Sequence, residues 1–185
     1  SVTWTEYGEK SKYVGLGLKK LGLNKNDVVS IASEGIPEWL FTDIGTICVG
    51  GISSGLYTTD SATQVKYLVN DSKTVFYFAE NEEQLDKILE VRNECPTLKK
   101  IIVYDLEGLH EYKDDQVISF DELLLLGKRL DNEKPDEWED AYHQVKPDDI
   151  AILVYTSGTT GPSKGAMLSN QNIVYSIESG MKVFK

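Results

Sequence analysis

Short, nearly continuous apolar runs alternate along this chain with longer stretches in which apolar positions recur every three or four residues. The first pattern reads as buried strands and the second as amphipathic helices. Strands are predicted at Asp27–Ala32, Ile52–Leu56, Thr74–Ala79, Lys100–Tyr104 and Ile150–Tyr155. Helices are predicted at Thr5–Leu21, closed by Gly22, and at Pro37–Val49, opened by Pro37 and broken by Gly50-Gly51. Further helices are predicted at Ser61–Val69, capped by Asp60 or Ser61, at Asn81–Asn93, and at the leucine-rich Ser119–Leu130. The pattern loosens after Asp105, and the acidic Asp131–Asp140 reads as a solvated helix face or loop. This alternation predicts an α/β fold, a mostly parallel sheet flanked by helices.

The candidate chemistry lies in the stretch Tyr155–Leu168, YTSGTTGPSKGAML. Between Thr156 and Lys164 it holds Gly158 and Gly161, the hydroxyls of Thr156, Ser157, Thr159, Thr160 and Ser163, then Pro162 and Lys164, and no acid. Glycines let backbone N–H groups approach oxygen closely, hydroxyls donate hydrogen bonds, and the lysine brings a full charge. Such a loop suits a polyphosphate. Ala166–Leu168 reads as a second short strand, and Ser169 or Asn170 as the cap of a helix reaching about Lys182. The loop is therefore expected to join two strands. A P-loop, G-x-x-x-x-G-K-[ST] running from strand into helix, does not fit. Counted from Gly158, Ser163 stands at the second glycine and Gly165 at the Ser/Thr.

Composition narrows the classes. The chain has 185 residues, 41% of them hydrophobic, and ten tyrosines, which argues against disorder. A formal net charge of −11 opposes nucleic-acid binding. It does not oppose ATP, because Lys164 and loop amides act locally while the global field is screened. No run reaches the length of a membrane span, and the first ten residues do not read as a signal peptide. Cys48 and Cys95 are far apart and read as plain thiols of a reducing, cytoplasmic setting. Asn70-Asp71-Ser72 fits a glycosylation acceptor, a triplet common by chance. His110 and His143 lie in polar, loop-like surroundings and have no partner pattern.

The loop resembles the signature of the adenylate-forming (AMP-binding) superfamily, T-S-G-[ST]-T-G-x-P-K-G. Thr156, Ser157, Gly158, Thr159, Thr160, Gly161, Lys164 and Gly165 fit it. Ser163 departs: proline is usual there, and here Pro162 comes one place earlier, so the loop is expected to stiffen at a slightly different point. Beyond the loop, Glu38–Phe41, Gly50-Gly51, Gly55–Thr59, Tyr67–Ser72 and Gln84–Leu89 resemble long-chain fatty-acid–CoA ligases of the bubblegum and related bacterial types.

The resemblance implies a two-step reaction of ATP, a long-chain fatty acid and coenzyme A through an acyl-adenylate, with Mg²⁺ on the phosphates. It implies that residues 156–164 are the phosphate loop, with Lys164 catalytic and with Thr156, Ser157, Gly158, Thr159, Thr160, Gly161, Pro162 and Ser163 binding beside it. It also implies that residues 1–185 are part of a large N-terminal adenylation domain, with the Mg²⁺, adenine, ribose and coenzyme A contacts outside them. Such an isolated part is expected to be inactive. Peripheral contact with membranes is compatible with long-chain substrates, and oligomeric state stays open. Trp39 and Tyr57 are candidates for an acyl tunnel, although aromatic residues at such spacing more often fill a core. Two alternatives remain: adenylation of an aryl or amino acid, and a non-catalytic ATP-binding or interaction module.

Overall fold

Val28–Ala32 (β1) is buried along its whole length, as a strand covered on both faces must be. It forms the middle of a seven-stranded sheet. The computed structural model describes residues 2–109, 112–156 and 162–183. In chain order the elements are α1 (Trp4–Lys20), β1, α2 (Pro37–Cys48), β2 (Ile52–Leu56), α3 (Ala62–Ser72), β3 (Thr74–Ala79), α4 (Glu82–Val91), β4 (Lys100–Val103) and β5 (Val117–Ser119). They continue with α5 (Phe120–Glu133), α6 (Glu137–His143), β6 (Ile150–Thr156), β7 (Lys164–Ser169) and α7 (Asn170–Val183). Strand order is β5-β4-β3-β1-β2-β6-β7; every neighbouring pair is parallel except β6–β7.

The sheet divides two apolar layers by its pleat. Val29, Ile31, Phe76, Phe78 and Ile102 pack with Val14 and Leu18 of α1, Phe41 of α2 and Leu123 of α5. Ala32, Tyr77, Ala79, Ile101 and Val103 pack with Val65, Leu68 and Val69 of α3 and with Leu85, Ile88 and Val91 of α4.

In the first layer the helices meet backbone to backbone. A Cβ on Gly15 would fall 2.6 Å from the Gly45 carbonyl oxygen of α2, and one on Gly127 of α5 would fall 1.9 Å from the Tyr13 carbonyl oxygen. Glycines placed inside α1 and α5 thus spend helix propensity on close approach.

The predicted strands and helices stand where the hydrophobic pattern put them, apart from shifts of a few residues at their ends. Helix α3 runs past Val69 to Ser72, because Ser61 and Gln64 close a capping box at its start and Lys73 ends it in the left-handed conformation at φ 56°. The strand β5 and the helix α6 were not anticipated. The acidic segment after Asp131 turns out to carry the end of α5 and most of α6, tied to α1 by Lys12–Asp131 (2.7 Å) and Lys19–Glu137 (2.8 Å). His143 ends α6 rather than lying in a loop; His110 lies outside the described residues.

Candidate functional site

The loop region is built on a hairpin at one end of the sheet. Strand β6 joins β2 in parallel through Ser53↔Ile152 and Ser54↔Leu153. Strand β7 returns antiparallel, with Tyr155↔Gly165 and then Thr156↔Lys164 as the last facing pairs. The two ends of the predicted phosphate loop, Thr156 and Lys164, are therefore direct partners across the ladder. Ser157, Gly158, Thr159, Thr160 and Gly161 lie outside the described residues. Thr156, Pro162 and Lys164 are exposed, and Ser163 is half-buried. Because β6 is parallel to β1, β2 and β3, the hairpin opens at the carboxyl edge of the strands, where open α/β sheets take their ligands.

Helix α3 braces the hairpin. The Tyr67 hydroxyl donates to the Ser163 carbonyl at 2.8 Å, and the Tyr155 hydroxyl donates to Asp71 Oδ2 at 2.7 Å. Burial raises the Tyr155 phenol, and the bond to Asp71 raises it further, so it stays a donor. Opposite Tyr155, a Cβ on Gly165 would meet the ring's Cζ at 3.2 Å. After β7, Ser169 accepts from the Asn172 N–H at 3.3 Å and so caps α7, while Asn170 Nδ2 holds the Lys146 carbonyl at 3.1 Å.

Beside the hairpin, the carboxyl ends of β1, β2 and β3 enclose a polar crevice of about 470 Å³, lined by Glu34, Thr58, Glu80, Asn81, Gln84 and Lys87 among others. Glu80 accepts from Ser33 Oγ at 3.0 Å and from the Glu34 N–H at 2.6 Å, and Thr58 donates to Glu34. Lys87 reaches the Thr58 carbonyl at 2.6 Å and pairs with Glu83 at 2.9 Å. This network ties three strand ends together, and its carboxylates would repel a triphosphate. The sequence carries a signal for it that the reading above does not single out: Ser33-Glu34 and Glu80-Asn81 directly follow β1 and β3, and Thr58-Thr59 comes one residue after β2.

An apolar groove of about 630 Å³ runs between the starts of α1 and α2, with Trp4, Tyr7, Ile36, Trp39 and Leu40 in its wall. Trp39 also packs against the core. Tyr57 is no core residue: it is 72% exposed just past β2. Cys48 and Cys95 are free thiols. Asn70 sits within α3, where its side chain donates to the Glu94 carbonyl at 3.1 Å. Among the described residues no three His, Cys, Asp or Glu side chains converge to hold a metal ion, so none is assigned to Mg²⁺. No described helix is long and apolar enough to cross a membrane.

Comparison with known proteins adds the context. The family model for AMP-binding enzymes matches residues 1–184. The chain is 34% identical over 97% of its length to the long-chain-fatty-acid–CoA ligase ACSBG1 of Rattus norvegicus. It is 35% identical over its full length to the ligase ACSBG2 of Xenopus laevis. It spans 24% of each of those relatives. Among solved structures, the anthranilate CoA ligase AuaEII in complex with anthranoyl-AMP superposes with a TM-score of 0.79 at 23% identity, over 95% of this chain and 31% of that one. Acetoacetyl-CoA synthetase from Streptomyces lividans superposes with a TM-score of 0.79 at 25% identity, over 95% and 27%.

Proposed function

The chain belongs to the AMP-binding enzyme family, and from that premise we propose that it serves a long-chain fatty-acid–CoA ligase, with residues 156–164 holding the phosphates of ATP. The observation that carries this reading is the hairpin: a glycine- and hydroxyl-rich loop, opening at the carboxyl edge of a parallel sheet, ends on the exposed Lys164. The fatty-acid substrate is supported by relatives at 34% and 35% identity named as long-chain ligases.

In the first step an oxygen of the fatty-acid carboxylate attacks the α-phosphorus of ATP. The bond from that phosphorus to the bridging oxygen breaks, and pyrophosphate leaves. Charge grows on the leaving oxygens, and donors aimed there lower the barrier. Lys164 supplies the full positive charge. The hydroxyls of Thr156, Ser157, Thr159 and Thr160 and the amides around Gly158 and Gly161 supply hydrogen bonds, and Pro162 and Ser163 close the loop. Mg²⁺, when bound to the phosphates, supplies further neutralising charge. In the second step the coenzyme A thiol gives up its proton to solvent, its sulfur bonds to the acyl carbon, the bond from that carbon to the phosphate oxygen breaks, and AMP leaves. No general base among the loop residues is needed for the first step, because the nucleophile is already an anion.

The test is carboxylate-dependent ATP–pyrophosphate exchange by the natural protein that contains this chain, with fatty acids of medium to very long chain, beside Lys164→Ala. Long-chain acids are expected to drive exchange, and Lys164→Ala to lower it by about 10²-fold. Exchange with aryl or short acids alone would replace the fatty-acid reading with another carboxylate. No exchange with any acid, or a Lys164→Ala rate equal to the parent, would overturn the assignment.

A further inference from the structure

The two limbs of the hairpin are attached to the same face of one helix. Tyr67 and Asp71 are four residues apart on α3 and so lie one above the other. Tyr67 holds the carbonyl of Ser163, the residue immediately before Lys164, and Asp71 holds the hydroxyl of Tyr155, the residue immediately before Thr156. We propose that α3 acts as a clamp across the mouth of the hairpin, and that Tyr67, Asp71 and Tyr155 are positioning residues that set where Lys164 leaves the sheet. The proposal rests on the reading of Lys164 given above.

Three further observations support the clamp. The rings of Tyr67 and Tyr155 both pack against the apolar layer that contains Val65, Leu68 and Val69 of α3, so each hydroxyl is presented from a fixed base. The helix is itself fixed at both ends, by the Ser61–Gln64 capping box and by the left-handed Lys73. On the hairpin, Gly165 leaves the Tyr155 ring just enough room to lie across the facing strand, since a Cβ there would come within 3.2 Å of it. Ser163 lacks the fixed φ of a proline. Its carbonyl is restrained instead from a helix 96 residues earlier in the chain.

The negative charge on the leaving phosphate oxygens grows during reaction, so a misplaced lysine loses more contact in the transition state than in bound ATP, and the clamp should act on turnover more than on substrate binding. Tyr67→Phe keeps the ring and removes only the donor. In the natural protein it is expected to lower the exchange kcat by roughly 5- to 10-fold, the worth of one hydrogen bond, with the KM for the fatty acid unchanged. In a Lys164→Ala background the same change should have no further effect, because Tyr67 acts through Lys164. Hydrogen–deuterium exchange of the peptide covering residues 162–168 should quicken in Tyr67→Phe and in Tyr155→Phe, with the melting temperature close to the parent's.

An equal fractional loss in both backgrounds would overturn the positioning role. Unchanged amide exchange at 162–168 would overturn the clamp itself. If the parent protein shows no carboxylate-dependent exchange, the ligase reading fails on its own, and the amide measurement still decides whether α3 holds the hairpin.

Discussion

Substituting Gly127 by alanine tests the helix layer on which the sheet rests. A Cβ at this position would lie 1.9 Å from the Tyr13 carbonyl oxygen and 2.8 Å from Tyr13 Cα, both backbone atoms of α1. A comfortable carbon–oxygen contact is about 3.3 Å, so the helices must part by about 1.4 Å at this point. They cannot do so freely, because α1 and α5 both pack on the sheet through Val14, Leu18 and Leu123. Gly17 faces the Leu123 carbonyl oxygen at a similar closeness, 2.4 Å for a Cβ there, so the same crossing would open at two levels. Overpacking and the gap it opens together cost about 4 kcal/mol. Alanine's better helix propensity returns about 1 kcal/mol, for a net loss of about 3 kcal/mol. Equilibrium urea unfolding of the chain, followed by tryptophan fluorescence, reads this directly, since Trp138 lies against Gly15 in the same layer. The control is Gly8→Ala, also in α1, where a Cβ meets nothing within 4 Å. It should gain about 0.5–1 kcal/mol. A Gly127→Ala protein as stable as its parent would refute the backbone-to-backbone packing of α1 and α5.

Two pH-dependent outcomes follow from buried and paired carboxylates. Asp43 is 8% exposed, its Oδ1 has no partner among the described residues, and burial raises its carboxyl above the usual range. A raised carboxyl stabilises the fold fully only below the unfolded value of about 3.9 and loses that contribution as pH rises through the folded value. Asp43→Asn should therefore raise the urea midpoint at pH 7, and the gain should fade by pH 3; a loss at pH 7 would show that the carboxylate is held by a favourable partner. Asp114 is the opposite case: the Gln116 N–H and then the Arg92 guanidinium hold its carboxyl below the usual range. Its stabilisation is present above about pH 3.9 and is lost as pH falls through the lower folded value. Asp114→Asn should cost stability at pH 7 and progressively less as pH falls below about 3.9, and a cost independent of pH would mean that packing, not charge, is the cause.

Much of the fold was legible because it is written locally. Strands β1 and β3 are near-continuous apolar runs, and α4 is capped by Asn81 accepting from the Gln84 N–H at 3.2 Å. The misses have local causes too. Helix α3 was ended early at Asn70-Asp71-Ser72, residues of modest helix propensity. In the fold Ser72 Oγ donates back to the Leu68 carbonyl at 2.7 Å, and the helix continues to it. Strand β5, three residues long, is too short to show a period and becomes a strand by pairing Ile118 with Ile102. Helix α6 reads as acidic surface until Trp138 and Ala141 find the layer over α1.

The sequence alone was enough for the parallel α/β class, the two strands flanking the loop, the identity of the loop residues and the family they resemble. Each depends on residue type and spacing within a short window, where period, capping and glycine content act directly. Tertiary structure decided what holds that loop and what lies beside it. It faced Thr156 with Lys164, brought Tyr67 to Ser163 and Asp71 to Tyr155, and gathered Glu34, Thr58 and Glu80 at the ends of three strands. Tyr67 and Ser163, Asp71 and Tyr155, Glu34 and Glu80, and Glu34 and Thr58 are 96, 84, 46 and 24 residues apart. A single hydrogen bond over such a distance leaves no periodic trace in the chain; it exists only once strand order and pleat have placed its two ends on one face.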